Sequence, residues 1–260
     1  MELPIYVVDA FARGRFSGNP AAVIPVEAWP EDRLMQQIAQ ENNQAETAFI
    51  KPIDGAYHIR WFTPTIEVNL CGHATMASAH VLVHHLNQRE SKYRFWSRSG
   101  WLHVDCVGEA YALDLPADEL KPVDIPPFMF DALGLDVLEF WKGRDDFLAL
   151  VDNSQMLRRL TPDFSLITRL KSRGLIVTAA DEEFDFVSRC FYPQSGIDED
   201  PATGSAHTTL TRFWADRTGK SNLSAFQASE RGASIICTLD QERVILQGRC
   251  YTYLQGQITV

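Results

Sequence analysis

Apolar and polar residues along the first sixty positions form short runs separated by turns, a pattern typical of β-strands. Residues 5–8 and 21–25 predict two strands, joined by a loop that contains the turn sequence Ser17-Gly18-Asn19-Pro20. Apolar residues recur at helical spacing within residues 34–40, so we expect a helix there that packs one face on a sheet. Residues 46–50 and 57–62 predict two further strands.

Residues 68–85 are mostly apolar and rich in small side chains, which predicts a helix enclosed by protein on all sides. The second half of the chain repeats this order of elements. It predicts a helix over residues 162–171 capped by Thr161, and strands over residues 147–151, 175–178, 184–191, 235–239, 243–247 and 251–260.

The sequence Arg-x-Phe-x-Pro, followed by a short loop and Ala-Thr, occurs twice. The first copy begins at Arg60 and the second at Arg189, an offset of 129 residues that approaches half of the chain. Such an offset indicates two related domains. We place them at residues 1–117 and 118–260, with a linker within residues 116–127 and a cleft between the domains. Whether the final strand returns to the N-terminal domain is left open.

Each copy of the repeat leads into a predicted central helix, over residues 74–87 and about residues 203–217, and we expect a pseudo-two-fold axis to relate the two. The first turn of a helix carries unpaired N–H groups and a positive dipole end, so it binds small anions such as carboxylates. An ordinary cap before a core helix is the alternative. The residues predicted to bind substrate are Asn19, Gly72, Ala74, Thr75, Gly204 and Ser205.

Composition excludes several classes of partner. The formal net charge is −10 and no run of Lys or Arg is present, which argues against binding of nucleic acid or anionic membranes. The five cysteines are scattered without a C-x-x-C spacing, so neither a disulfide framework nor a structural zinc site is predicted. No signal-peptide pattern and no apolar run of membrane-spanning length occur, and we expect a soluble cytoplasmic protein.

Three titratable residues form a candidate acid–base set. His73 and Asp200 precede the two predicted helices, and Glu46 begins an otherwise apolar strand, where it is placed to exchange a proton with a substrate. The alternatives are a structural His, an N-cap Asp and a solvated strand-end Glu. Glu199 is interpreted as solvated. The set lacks a compact metal-ligand spacing, so we expect no metal and no cofactor.

These residues lie in motifs that resemble the phenazine-biosynthesis PhzF-like isomerase family over essentially the whole chain. The motifs are Asp9-Ala10-Phe11 with Gly18-Asn19-Pro20, Glu46-Thr47-Ala48-Phe49, Phe62-Thr63-Pro64 with Glu67 and Cys71-Gly72-His73-Ala74-Thr75, and Glu199-Asp200-Pro201-Ala202-Thr203-Gly204-Ser205. The resemblance implies an α+β, diaminopimelate-epimerase-like fold. It comprises two pseudo-symmetric domains, each a curled, mostly antiparallel sheet around a central helix, with a cofactor-free active site in the cleft. Homodimers are frequent in such proteins.

By the same resemblance Glu46 is the general acid/base, while His73 and Asp200 position the substrate or assist proton movement, with Ser205 as a further candidate. The predicted function is therefore a cofactor-independent isomerase that moves a proton on a small carboxylate-bearing metabolite. A non-catalytic small-molecule-binding protein is the first alternative. The second is an amino-acid racemase, which would use a cysteine at each helix start.

The racemase alternative meets a difficulty at the second helix. Cys71 fits the first cysteine position, but residues 198–204 contain no cysteine, so one of the two thiol bases is missing. We therefore interpret Cys71 as a small core residue.

Overall fold

The computed structural model of the chain describes residues 1–260, which divide into two compact units. Unit 1 comprises Met1–Asp114 together with Gln247–Val260, and unit 2 comprises Leu115–Leu246. The final segment therefore belongs to the first unit, whose sheet it completes by pairing residues 250–259 antiparallel with the first strand.

Unit 1 contains eight strands that begin within it and two helices. The strands are β1 (Glu2–Ala10), β2 (Asn19–Pro25), β3 (Glu46–Ile53), β4 (Ala56–Phe62), β5 (Glu67–Val68), β6 (Lys92–Ser97), β7 (Gly100–Val107) and β8 (Ala110–Pro116), and the helices are α1 (Asp32–Asn42) and α2 (Gly72–His84). The sheet order is β1-β2-β3-β4-β6-β7-β8, with β5 paired to β4.

Unit 2 contains three short helices, one long helix and the strands that begin within it, of which the last, β16, continues beyond Leu246 into unit 1. In chain order these are β9 (Lys121–Pro122), α3 (Met129–Leu133), β10 (Val137–Lys142), β11 (Asp146–Val151), α4 (Ser154–Arg158), α5 (Phe164–Ile167), β12 (Gly174–Ala180), β13 (Phe186–Phe191), α6 (Gly204–Thr218), β14 (Asn222–Gln227), β15 (Ala233–Asp240) and β16 (Arg243–Thr259). The sheet order from the edge is β9-β10-β11-β12-β13-β14-β15-β16.

The two units use the same alternation of strand directions. From β1 to β7 the successive neighbours pair antiparallel, parallel, antiparallel, parallel and antiparallel. From β10 to β15 the neighbours follow the same series. The internal repeat seen in the sequence thus corresponds to a shared pairing scheme. The pseudo-two-fold relation between the central helices stays a prediction.

Helix α2 is enclosed on nearly all sides because its side chains are small. Every residue from His73 to Leu82 is buried, and the helix packs against β1, β2 and β3. A helix that is apolar all round is buried rather than amphipathic, which is what the small-residue stretch predicted. The observed helix begins two residues before the expected start and ends three residues before the expected end, and Asn87, with φ of 53°, lies beyond it in the left-handed region.

Helix α6 closely matches its predicted bounds, and Gly219 ends it with φ of 73°, a conformation that favours glycine. The helix predicted over residues 162–171 is wrong in length and cap. Only α5 forms there, and Asp163 rather than Thr161 caps it by accepting from the N–H groups of Ser165 and Leu166. Beyond α5 the side chain of Gln194 donates to the carbonyl oxygens of Ile167 and Leu170, at 3.1 and 3.3 Å. Every helix of the chain is too short or too polar to cross a lipid bilayer.

Candidate active site

Glu46 is the first residue of β3, and its side chain is only 15% exposed. Strand β3 pairs parallel with β2, with Ala21 as the register partner of Glu46. Asn19, the predicted ligand-binding amide, begins β2 two residues before Ala21 and is fully buried. The start of β3 thus places a carboxylate in a half-enclosed position, as the sequence predicted.

Cys71 and His73 lie at the start of α2. Cys71 occupies the N-cap position in an extended conformation, with φ of −146°, and its side chain forms no cap hydrogen bond. Its Sγ instead lies 3.5 Å from Nδ1 of His73. The opposite ring nitrogen, Nε2, lies 3.1 Å from Oε2 of Glu46, although the contact is not aligned as a hydrogen bond. The imidazole therefore stands between a thiol and a carboxylate.

Glu46, Cys71 and His73 are residue types that bind metals such as zinc. One potential ligand atom of each lies within 4.8 Å of the other two. The orientation of the ring argues against chelation as it stands. A tetrahedral ion needs all three donors directed at one point, whereas the two ring nitrogens of His73 face different partners. The arrangement suits proton transfer along a chain of groups better than it suits a shared ion.

Burial and charge act in opposite directions on these groups. Burial raises the pKa of the Cys71 thiol to about 11, and the negative charge of Glu46 adds to that rise, so the group is a neutral thiol at neutral pH. For His73, burial alone would lower the pKa, but the neighbouring Cys71 and Glu46 outweigh burial and raise the pKa above its usual value. Because Cys71 is a thiol at neutral pH, we assign the main electrostatic part of that rise to the Glu46 carboxylate.

Asp200 belongs to the loop before α6. Its carboxylate accepts from the hydroxyl of Thr203, which is the N-cap of α6 and forms no cap hydrogen bond. Gln227, at the end of β14, fixes this loop. Its Oε1 accepts from the Thr203 N–H at 2.8 Å and its Nε2 donates to the Asp200 carbonyl oxygen at 2.6 Å. Gln227 was missed from the sequence, where nothing in its strand distinguishes it.

Ser205, in the first turn of α6, accepts a hydrogen bond from Nη2 of Arg173 at 3.0 Å. Arg173 also forms a two-pronged ion pair with the buried Asp146. Ser205 is thus held from outside its own helix. Neither Arg173 nor Asp146 was predicted, because they are far from Ser205 in sequence and lie in no motif.

The remaining predicted ligand residues differ in accessibility. Gly72 and Ser205 are partly accessible, whereas Ala74, Thr75 and Gly204 are buried. The Thr75 hydroxyl donates to the carbonyl oxygen of Cys71 at 2.6 Å, an intrahelical contact. A ligand at the start of α2 would therefore meet Gly72 before the residues that follow it.

The two Arg-x-Phe-x-Pro motifs build the same local structure. Arg60 forms two parallel hydrogen bonds to Glu67, at 2.8 and 2.9 Å, and Arg189 forms two to Glu199, both at 2.7 Å. Each guanidinium lies 5.2 Å from the ring of the phenylalanine two residues later. The interpretation of Glu199 as solvated is wrong, because the Arg189 fork holds its carboxylate and leaves it only 19% exposed.

We expect Arg189→Met to lower the free energy of unfolding by about 2–4 kcal/mol, because it leaves the Glu199 carboxylate half-enclosed without its partner. Arg212→Met is the matched control. Arg212 pairs with the exposed Asp216 on the same helix, and that loss should stay under about 1 kcal/mol. Urea unfolding of both variants measures the difference, and equal losses would contradict a structural role for the repeated ion pair.

Comparison with known proteins addresses the family to which the chain belongs. The sequence profile of phenazine biosynthesis-like proteins matches residues 8–119 and 134–256. An uncharacterized isomerase of Pseudomonas aeruginosa is 47% identical over 258 residues, which cover 99% of each chain. The family resemblance and the isomerase class expected from the sequence are both confirmed.

Solved structures show the same relationship. The crystal structure of a PhzF-family phenazine biosynthesis protein from Enterococcus faecalis superposes with a TM-score of 0.97 at 41% identity and covers both chains fully. A hydroxyproline epimerase from Agrobacterium vitis shares the fold alone, with a TM-score of 0.67 at 11% identity over 99% of this chain and 92% of its own. The fold is thus the epimerase-like α+β class that was expected. From profile, relatives and structure together, the chain belongs to the phenazine biosynthesis-like protein family and is an isomerase of that family.

Proposed function

We propose that this isomerase moves a proton on a small carboxylate-bearing metabolite without a cofactor, with Glu46 as the general acid/base. The observation that carries the proposal is the 3.1 Å contact between the partly accessible Glu46 carboxylate and the buried His73 imidazole. A group that accepts a proton and returns it must be ionised, reachable by substrate and held in place. Glu46 is held in place because it begins β3, and a substrate can reach it because its side chain is partly exposed.

The reaction conserves every atom of the substrate. In the first step the Glu46 carboxylate takes a proton from a carbon of the substrate, and the electron pair of that C–H bond delocalises into the neighbouring unsaturated system. In the second step the protonated Glu46, whose carboxyl proton exchanges with solvent while Glu46 holds it, delivers a proton to a different carbon. The imidazole of His73, whose raised pKa favours its cationic form, stabilises the carboxylate before transfer and the negative charge that develops on the substrate.

The helix starts supply the remaining functions in this proposal. N–H groups at the first turn of α2, beginning with the accessible Gly72, bind the substrate carboxylate. Asp200 is proposed as a second proton-handling residue, since Thr203 and Gln227 hold its loop in place. Ser205, oriented by Arg173, is proposed as a polar contact to the substrate.

The decisive experiment follows hydrogen exchange in deuterium oxide. A panel of small unsaturated carboxylic acids and cyclic amino acids is incubated with the enzyme, and deuterium incorporation at carbon is followed by NMR. Incorporation that disappears in Glu46→Gln supports the isomerase. Saturable binding without incorporation for any bound compound would support the non-catalytic binding protein. Incorporation that survives in Glu46→Gln but is lost in Cys71→Ser would support a thiol racemase.

Chelation tests the expected absence of a metal requirement, which matters because Glu46, Cys71 and His73 are ligand types. We expect exchange to be unchanged, within about twofold, after treatment with EDTA and gel filtration. Elemental analysis of the same sample accompanies the assay. Loss of exchange on chelation, with recovery on adding back one metal, would refute the cofactor-free mechanism.

A further inference from the structure

We propose that Cys71 is a positioning residue that fixes which nitrogen of His73 presents a proton to Glu46. The inference rests on the proposed function of Glu46 and His73, and it gives a role to a side chain first interpreted as core filler. It also distinguishes this chain from enzymes in which a cysteine at the helix start removes the substrate proton.

The first observation is the direction of the Cys71 side chain. An N-cap side chain ordinarily accepts a hydrogen bond from an N–H of the first helical turn. Cys71 forms no such bond, and its Sγ lies against Nδ1 of His73 at 3.5 Å, within the range for a hydrogen bond to sulfur. The cap residue is therefore engaged with a candidate catalytic residue, in addition to a weak electrostatic contact of its sulfur with the Ala74 N–H.

The second observation is that the other central helix repeats this arrangement with different chemistry. Thr203, the N-cap of α6, also forms no cap hydrogen bond, and its hydroxyl donates to the carboxylate of Asp200. In each unit, the side chain at the cap thus contacts the titratable residue predicted to act there. At both helix starts the N-cap side chain contacts a candidate catalytic residue and forms no cap hydrogen bond. This repetition indicates that the contact serves the site.

The effect of the contact follows from the donors and acceptors of a thiol. When His73 is neutral, the Cys71 S–H donates to Nδ1, which leaves the ring proton on Nε2. When His73 is charged, Nδ1–H donates to the sulfur and Nε2 again carries a proton. In both states the nitrogen 3.1 Å from Glu46 is the protonated one, so an N–H group always lies beside the carboxylate, although the two are not aligned as a hydrogen bond.

Cys71 is poorly suited to act as the base itself. Only 6% of its surface is exposed. Burial and the nearby Glu46 charge both raise its pKa and so disfavour the thiolate that a base would need. A neutral thiol has the two hydrogen-bonding roles required above. The hydroxyl groups of serine and threonine can likewise donate and accept a hydrogen bond, whereas the alanine side chain can do neither.

The test reads the protonation of His73 directly, without a substrate. Protein labelled with ¹⁵N in its seven histidines is titrated by NMR, and the His73 signals are assigned by their absence in His73→Asn. Wild type and Cys71→Ser should show the Nε2–H form above the titration midpoint of His73. Cys71→Ala should show a mixture of the two tautomers and a midpoint at lower pH. Cys237→Ala, which removes another buried cysteine, should match wild type.

Two results would overturn the inference: a His73 tautomer unchanged in Cys71→Ala, or a Cys71→Ser variant that behaves like Cys71→Ala. If Cys71→Ser fails to fold, Cys71→Thr, which copies the residue of the second helix, takes its place. If Cys71→Ala fails to fold, Cys71→Val, which also lacks a hydrogen-bonding group, takes its place. Once an exchanging compound is known, Cys71→Ala should slow exchange about five- to tenfold and Cys71→Ser should recover most of the rate.

The two readouts separate this inference from the proposed function. A tautomer that depends on Cys71 in a protein with no Glu46-dependent exchange would leave the positioning role standing and remove the proposed reaction. If exchange depends on Glu46 but the His73 tautomer does not depend on Cys71, the proposed reaction stands and the positioning role of Cys71 is removed.

Discussion

Glu46→Gln is expected to lower turnover by roughly a hundred- to ten-thousand-fold while substrate affinity changes little. The amide keeps the size of the side chain and its place at the start of β3, but it cannot take up and return a proton near neutral pH. His73 still faces it, so the site keeps most of its shape. Steady-state kinetics and a binding titration on the same preparation measure both quantities.

Glu41→Gln provides the control for this variant. Glu41 is an exposed residue of α1 with the same chemistry and no contact to the site, and its change should leave turnover within about twofold of wild type. The melting temperature of Glu46→Gln should stay close to that of wild type as well. Unchanged turnover of a genuine substrate in Glu46→Gln would remove this residue from the mechanism and leave it as an ordinary strand-end carboxylate.

His73→Asn is expected to impair binding and rate together, by roughly tenfold each, because the imidazole both orients the substrate and supports the proton carrier. Asparagine places its amide near the former position of Nδ1, beside Cys71, and leaves the space opposite Glu46 empty. The carboxylate then loses its 3.1 Å contact with the imidazole. Both the Michaelis constant and the turnover number should therefore change.

His73→Gln separates these two contributions. Its longer side chain places an N–H near the former Nε2, so it can still donate toward Glu46, but it cannot become a cation. We expect its binding to return close to wild type while its rate stays low. If His73→Gln and His73→Asn are equally weak binders, contact at the Nε2 position contributes nothing to substrate orientation.

Local sequence patterns predicted much of the fold because they reflect local physics. The small residues of α2 require a buried helix, and Gly219 ends α6 through its positive φ. The internal repeat was visible because each copy keeps the residues that build one ion pair, Arg60 with Glu67 and Arg189 with Glu199. The partner of Arg189 was nevertheless misread as solvated, since a carboxylate in an acidic loop gives no local sign that an arginine ten residues earlier binds it.

The site was predictable only as far as its motifs reach. Glu46 and His73 stand in recognisable segments, but their contact depends on how β3 lies beside the start of α2, and a sequence pattern does not encode that distance. The roles of Gln227 and Arg173 could not be predicted from neighbouring residues, because each side chain bonds to a residue more than twenty positions away in the sequence. The short helix α5 shows a related limit, since the sequence predicted a helix over residues 162–171 and only Phe164–Ile167 forms one.

The return of β16 to β1 implies an order of assembly during protein synthesis. Unit 2 is one continuous segment, so it can complete its sheet as soon as residue 246 has left the ribosome. Strand β1 precedes unit 2 in the chain, and its antiparallel partner, residues 250–259, is made only after unit 2. Until then one edge of β1 lacks that partner, and unpaired strand edges promote aggregation. An early strand of this enzyme therefore keeps one open edge while all of unit 2 is made, and rapid synthesis of residues 250–259 shortens that exposure.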